Sequence, residues 1–215
     1  ANMNTILRST LYFAAILLIA PALALAKTPA TADKLNQLYA EYWQESLQAN
    51  PLIATRIGDS RFNDRYGAVT SAERLATTKR IAEKYLARTA GFDPTGLPAE
   101  DRISYDLLRY NLQQSLDALK FPSHLTPLNQ IFGQHLSFAQ LGSGRASQPF
   151  RTVKDYDNWL ARAASFPAVI DGWINDMREG IKAGVVMPKA LVLPMLPQFE
   201  SLSTDDLDKN VYMSP

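Results

Sequence analysis

Two consecutive segments between residues 150 and 188 repeat apolar residues at the three- and four-residue spacing of an amphipathic helix. The apolar face of the first segment consists of Val153, Tyr156, Trp159, Leu160 and Ala163. The apolar face of the second consists of Val169, Ile170, Trp173, Ile174, Met177 and Ile181. Thr152 is placed to cap the first segment, and Pro167 to open the second. Gly184 and Pro188 then end it, so the pattern predicts two helices in tandem with these faces buried.

The same spacing recurs through the preceding part of the chain. It predicts helices over residues 33–49, 51–58, 71–90 and 98–119. Asp33 is the expected N-cap of the first of these, and Thr70 with Glu73 predicts a capping box for the third. No convincing alternation marks a strand. The sequence therefore predicts an all-α protein built as an irregular helical bundle.

Two of these helices carry further patterns. The helix over 98–119 has two apolar stripes, the second formed by Ile103, Leu107 and Tyr110. We therefore expect a central helix with more than one neighbour. On it, Arg102, Asp106 and Arg109 have the spacing of an ion-pair ladder. The helix over 71–90 has an outward basic side that includes Arg74, which predicts either a solvated face or an anion-binding surface.

Residues 1–26 have the order of a secretory signal peptide. A polar start contains Arg8, an apolar run follows over 11–20, and Ala24-Leu25-Ala26 fits the cleavage signal. The alternative is a membrane anchor, which is disfavoured because the run is short and followed by proline. We interpret the two residues before Met3 as a cloning remnant. The mature protein is expected in the periplasm or outside the cell, without membrane contact after cleavage.

Composition excludes several functional classes. The chain has 22 basic and 21 acidic residues, and removal of the leader with Arg8 leaves a neutral protein. Because a neutral chain without a basic run lacks an electrostatic footprint for nucleic acid, no nucleic-acid partner is expected. There is no cysteine, which excludes disulfides, thiolate metal sites and a cysteine nucleophile.

Residues 121–149 form a long, proline- and glycine-interrupted segment, which is expected to be functional or to contain short helices. It holds both histidines, His124 and His135. Their spacing, without a carboxylate at ligand distance, disfavours a metal pair and favours neutral, hydrogen-bonded histidines in a packed loop. Residues 142–145 lack the Lys-Ser/Thr end of a phosphate loop, and Ser143 lacks a nucleophile elbow. A turn is the preferred interpretation.

Several short sequence segments along the chain carry a family resemblance. The segments are Pro51-Leu52-Ile53-Ala54-Thr55-Arg56-Ile57-Gly58, Pro127-Leu128-Asn129-Gln130, Asp155-Tyr156, Trp159-Leu160-Ala161-Arg162, Phe166-Pro167, Met177-Arg178-Glu179-Gly180-Ile181 and Gly184-Val185-Val186-Met187-Pro188. In these segments the chain resembles the bacterial DUF885 family, and the resemblance covers most of residues 33–200. Members of that family look like helical zinc-dependent peptidases of the carboxypeptidase kind.

The resemblance implies that this chain is only the part of such a protein that does not bind the metal. In the family a His-Glu…Pro-Gly-His segment late in the chain holds the metal and a Glu-Gly-Trp segment follows it, and neither occurs here. The chain therefore resembles the N-terminal, non-metal part of a larger α-helical peptidase-like fold. Residues 27–200 would form this helical domain, and residues 201–215 the truncated start of the next region. No cofactor is expected in this chain, and zinc is expected in the full-length family.

The resemblance also points to four charged residues as candidate substrate contacts: Arg56, Asp59, Asp64 and Arg178. Three of them lie in or next to the charged loop over 59–69, where rigid helices present irregular backbone. The alternative is that each forms a structural ion pair at the surface. No catalytic residue and no metal ligand is nominated.

Three functions follow as hypotheses. The first is the N-terminal part of an exported zinc-dependent peptidase, which shapes the substrate cleft and is inactive alone. Its partners would be the missing C-terminal region and a peptide substrate. The second is a stand-alone periplasmic helical module that binds a peptide or protein in a groove. The third is a structural role, in which the chain folds and forms a homodimer through exposed apolar surface.

Overall fold

The computed structural model describes residues 30–131, 133–206 and 208, and within them the only regular elements are helices. The predicted all-α class is confirmed. In chain order the helices are α1 (Ala30–Ala49), α2 (Pro51–Arg56), α3 (Ser71–Thr89), α4 (Ala99–Ala118), α5 (Gln134–Gly142), α6 (Val153–Ala164), α7 (Phe166–Ala183), α8 (Lys189–Val192) and α9 (Leu196–Ser203). The predicted signal peptide, residues 1–26, lies outside the described residues. None of the described helices combines the length and apolar composition needed to cross a bilayer.

Short 3₁₀ helices link these elements. They cover Ser60–Phe62, Pro94–Gly96, Ser123–Leu125 and Leu193–Met195. The long segment over 121–149 contains one of them together with α5, in agreement with the expectation of short helices there.

The helix starts follow local side-chain chemistry. At α6 the predicted cap is a full capping box, because Thr152 Oγ1 accepts from the Asp155 N–H and the Asp155 carboxylate accepts from the Thr152 N–H at 2.9 Å. At α3 only half of the predicted box forms in the described structure, with Thr70 Oγ1 accepting from the Glu73 N–H. The prediction for Asp33 is wrong. Helix α1 begins at Ala30, so this carboxylate lies in the first turn instead.

A first core joins α1, α3 and α4. Its buried side chains are Leu38, Ile81, Ala82, Tyr85, Leu108 and Leu112. Helix α4 thus shares a core with both α1 and α3, as expected for a helix with more than one neighbour, but its second stripe does not contribute to that core. The second stripe stays exposed, with Ile103 at 67% and Tyr110 at 61% of full accessibility. Only half of the predicted ladder forms, because Arg102 pairs with Asp106 whereas Arg109 donates to Thr89 Oγ1.

A second, aromatic core lies between α5, α6 and α7. Phe138 stacks on Phe166 with ring centroids 3.8 Å apart, and Trp173 meets Phe166 edge-on at 5.7 Å. The predicted buried face of α6 is largely wrong, since Val153 is 79% exposed. The other predicted core residues of α6 and α7 that are exposed are Tyr156, Leu160, Ile170 and Ile181. Trp159 and Ala163 do pack on this core.

The side chain that α6 buries most completely is a cation, Arg162, with no accessible surface. Its Nε donates to Arg65 O at 2.9 Å, and its two terminal nitrogens donate to Gln148 Oε1, Thr55 Oγ1 and Phe62 O at 2.6–2.8 Å. These acceptors are neutral. Thr55 Oγ1 in turn donates to Asn63 Oδ1 at 2.7 Å. One guanidinium thus fixes α2, the following loop and the entry to α6.

Burial is costly for this charge. Burial lowers the pKa of Arg162 to about 10, and the nearby Asp64 charge opposes that shift only in part. Four of the five guanidinium donors are satisfied, which offsets the loss of water. Removal of the guanidinium leaves four acceptors without their donor in a space that water does not reach.

We predict that Arg162→Met lowers the free energy of unfolding by about 3 to 5 kcal/mol, the range for breaking a buried charged network. The measurement is urea unfolding followed by circular dichroism. Arg178→Met is the matched control, because Arg178 is exposed on α7, and it should change stability by about 0.5 kcal/mol or less. Equal effects of the two variants would contradict the role assigned to Arg162.

Helices α1 and α3 are also joined by a partly buried carboxylate, Glu45. It accepts hydrogen bonds from Lys84 Nζ at 2.6 Å, from Arg80 and from the Tyr85 hydroxyl at 2.9 Å. The bond from Lys84, followed by those from Arg80 and Tyr85, lowers the pKa of Glu45 from 4.5 to about 2. Ionised Glu45 therefore stabilises the packing of α1 on α3.

We predict that Glu45→Gln lowers the free energy of unfolding at pH 7 by about 1 kcal/mol, because the exposed partners weaken the pair through solvent screening. The folded-state pKa is depressed, so this stabilisation is complete above pH 4.5 and is lost as the pH falls through about 2. Urea unfolding at several pH values should show the variant and the parent converging in acid. Glu83→Gln, at an exposed 3.8 Å pair with Lys79, is the control and should have little effect.

Candidate functional site

A cleft of about 470 Å³ opens between α2, the segment that leads into α3, the 3₁₀ helix Ser123–Leu125 and α7. Its position follows from the Arg162 network, which holds α2 and the loop after it against α6. The apolar part of its wall is formed by Leu52, Ile53, Pro127, Val169 and Trp173. The cleft therefore brings together residues more than a hundred positions apart in the chain.

The polar part of the wall is cationic. Arg56 and Arg74 line the cleft, and no carboxylate does so among the described residues. The side chain of Arg56 makes no hydrogen bond or ion pair within the described part of the chain. The remaining polar lining is neutral or titratable, and consists of Asn50, Tyr66, Thr70, Ser71, Ser123, His124, Thr126 and Gln134. Such a lining is suited to a ligand that carries negative charge.

Arg74 is held by a short relay. Its guanidinium donates to Ser71 Oγ at 3.1 Å, and Ser71 Oγ donates to the carboxylate of Asp176 on α7. Because the hydroxyl donates its proton to Asp176, its lone pair faces Arg74. This relay orients the guanidinium while leaving its other donors available.

Tyr66 is a buried residue of the cleft lining. Its hydroxyl donates to Gln134 Oε1, and its ring packs on Phe138 and Phe166 in the aromatic core. Burial raises the pKa of Tyr66 to about 12, although the charge of Arg74 acts in the opposite direction. The phenol is therefore neutral at physiological pH and acts as a hydrogen-bonding group.

The two histidines have different surroundings. His135 is 2% exposed, stacks on Phe199 at 4.7 Å and places Nε2 3.0 Å from Gln198 Oε1, which confirms the packed, hydrogen-bonded position expected for it. His124 instead lines the cleft, and its Nδ1 has no partner among the described residues. Within the described ranges no three histidine, aspartate or glutamate side chains are placed to hold a metal ion.

The structure separates the four predicted substrate contacts. Arg56 and Arg178 are both exposed, but Arg56 lines the cleft whereas Arg178 lies on α7 outside it. Asp59 caps the 3₁₀ helix and pairs with Arg61 at 2.6 Å, and hydrogen bonding to Arg61 lowers the pKa of Asp59. Asp64 pairs with Arg65 at 3.0 Å, which likewise lowers the pKa of Asp64. For Asp59 and Asp64 the geometry favours the alternative interpretation, a structural ion pair.

Two glycines on α7 set the width of the cleft. A Cβ added at Gly172 would lie 2.7 Å from Val69 O, and one added at Gly180 would lie 2.6 Å from Val185 O and 3.0 Å from Leu125 O. The backbone of α7 therefore touches the segment before α3 at Gly172. Near its C-terminal end, at Gly180, it touches the 3₁₀ helix Ser123–Leu125 on the other wall. No larger residue fits at either position without displacing backbone.

We predict that Gly172→Ala lowers the free energy of unfolding by about 1 to 3 kcal/mol, because the methyl group must push α7 away from Val69. This loss outweighs the gain of about 1 kcal/mol in helix propensity. Thermal or urea unfolding measures it. Gly96→Ala is the control, since an added Cβ there meets nothing within 4 Å. A Gly172→Ala variant more stable than the parent would contradict the close approach.

Comparison with known proteins agrees with the family resemblance noted in the sequence. A search of curated proteins gave no match. The family model described as "Bacterial protein of unknown function (DUF885)" matches residues 51–213, which include α2, α3 and α7 around the cleft. The chain therefore belongs to the DUF885 family of bacterial proteins.

Proposed function

We propose that this chain is the N-terminal helical part of an exported zinc-dependent peptidase, and that its cleft holds part of the peptide substrate. The observation that carries the proposal is the cleft itself, which combines an apolar wall with a few convergent polar groups. A volume of about 470 Å³ lies within the range of ligand sites, about 300 to 1,000 Å³. The resemblance to zinc-dependent peptidases supports a peptide as the ligand.

Hydrolysis would require groups from outside the described residues. A catalytic zinc site needs three protein ligands and a water position, with a carboxylate as general base. The donor set here does not fit that requirement, because His135 Nε2 is engaged with Gln198 and no carboxylate lines the cleft beside His124. In this proposal zinc and the general base belong to a C-terminal region, and this chain positions the substrate.

The binding step can be tested by the fluorescence of Trp173, which lies half-buried in the cleft wall. Titration with short apolar peptides up to about 1 mM, the weak end of specific binding, should give a saturable change. Trp173→Phe should remove this change. Trp43→Phe should keep it, since Trp43 lies on α1 outside the cleft lining. An absent signal in the parent protein, or one that survives Trp173→Phe, would overturn the assignment.

A second experiment tests whether this chain lacks peptidase activity on its own. With zinc added, the chain alone should not hydrolyse the same peptides, whereas stoichiometric zinc with turnover would contradict the proposal. The alternative function, a stand-alone periplasmic binding module, predicts the same fluorescence result. The two are separated by the reading frame after Pro215, where a His-Glu…Pro-Gly-His segment supports the peptidase and a natural stop codon supports the module.

A further inference from the structure

We infer that Met177, Met187 and Met195 form a binding site for a soft monovalent metal ion, Cu(I) or its analogue Ag(I). The site is a pocket of about 200 Å³ at the C-terminal end of α7, and Thr126 is the one lining residue that it shares with the cleft. This inference does not rest on the proposed function, because it concerns a different pocket and a different ligand.

The turn after α7 brings two of the methionines together. Gly184 ends the helix with a φ of 71°, which favours glycine, and the Val185 N–H donates back to Gly180 O at 2.8 Å. The chain therefore folds back on the helix that it has just left. As a result Met187 lines the same pocket as Met177, which lies on α7 itself.

The concentration of methionine in this lining is the first argument. The chain has five methionines, and three of them line this pocket from separate places: α7, the segment after it, and the 3₁₀ helix Leu193–Met195. Apart from the hydroxyl of Thr126, the other lining side chains are aliphatic, and they are Leu125, Leu128, Ile181, Val185, Val186 and Val192. The three sulfurs are therefore the only soft donor atoms that this lining offers.

The open space between these side chains is the second argument. Methionine often fills irregular gaps in a core, because its three torsions adapt to the shape of the gap. Here three methionines and their neighbours leave about 200 Å³, whereas protein interiors contain few voids larger than a water molecule. Met195 is 4% exposed, and Met177 and Met187 are half-buried. The pocket therefore has a buried floor and a side from which an ion can enter.

The donor set determines which kind of ion fits. Thioether sulfur is an uncharged, soft ligand, and soft ligands of this type select Cu(I) over hard cations. Zinc, calcium and magnesium sites are built from imidazole, thiolate or oxygen ligands, and the described lining holds no imidazole and no carboxylate. The flexibility of methionine allows the three sulfurs to turn toward one ion without movement of the backbone.

The test is isothermal titration calorimetry of the full chain with silver nitrate in chloride-free buffer, because Ag(I) shares the ligand preference of Cu(I) and is stable in air. One equivalent should bind with a Kd of about 10 μM or tighter. Met177→Leu and Met187→Leu should each weaken binding by about tenfold or more, since even residues that only support a metal ligand contribute that much to affinity. Leucine conserves volume and apolar character, so the loss reports the missing sulfur.

Ile181→Leu is the matched control, because Ile181 lines the same pocket without a sulfur, and this variant should bind Ag(I) like the parent. In protein labelled with ¹³C at the methionine methyl groups, the three signals assigned by the leucine variants should shift together when Ag(I) is added. Absence of binding overturns the inference. So does binding that survives leucine at all three positions, because other groups such as the histidines would then hold the ion.

Equal losses in Ile181→Leu and Met187→Leu would also overturn the inference, because the shape of the pocket and not its sulfur would then determine binding. None of these outcomes changes the peptide titration that Trp173 reports. The proposed function is therefore tested separately.

Discussion

The structure depends on one buried cation. Arg162 binds four neutral oxygens from three separate segments, and no carboxylate lies at ion-pair distance from it among the described residues. A charge in such a place is tolerated only while its acceptors remain together, so the segments around it must be ordered as a unit. The irregular loop after α2 is held by this network through the carbonyl oxygens of Phe62 and Arg65.

The cleft follows from that constraint. Arg162 holds α2 and the loop over 59–65 against α6, and the chain then enters α3 beside α7, where Gly172 allows backbone contact with Val69. The apolar wall on α7 and the cation on α2 are thereby brought to opposite sides of one opening. A rigid frame of this kind positions the walls of the cleft before any ligand binds, which lowers the entropic cost of binding.

Sequence reasoning reached the helices but only part of the surfaces that they bury, since Val169 and Trp173 of α7 pack in the aromatic core whereas most of the predicted face of α6 is exposed. Periodicity, caps and prolines located α1, α3, α4, α6 and α7 because these signals act within one turn. Periodicity could not show that Val153 and Ile103 have no described neighbour, since a pattern gives a face and not its partner. Nothing local marks Arg162 as buried. The family resemblance pointed to Arg56. Arg74 and His124 could not be assigned to the same site from the sequence, because they come together only when the chain folds.

The acceptors of Arg162 have a consequence for how the protein loses structure in acid. Carbonyl, amide and hydroxyl oxygens do not take up protons in the range where carboxylates do, so this network is insensitive to acidification. The link between α1 and α3, by contrast, passes through the carboxylate of Glu45. Acid should therefore loosen the packing of α1 on α3 before it disturbs the contacts of Arg162 with α2 and the loop after it.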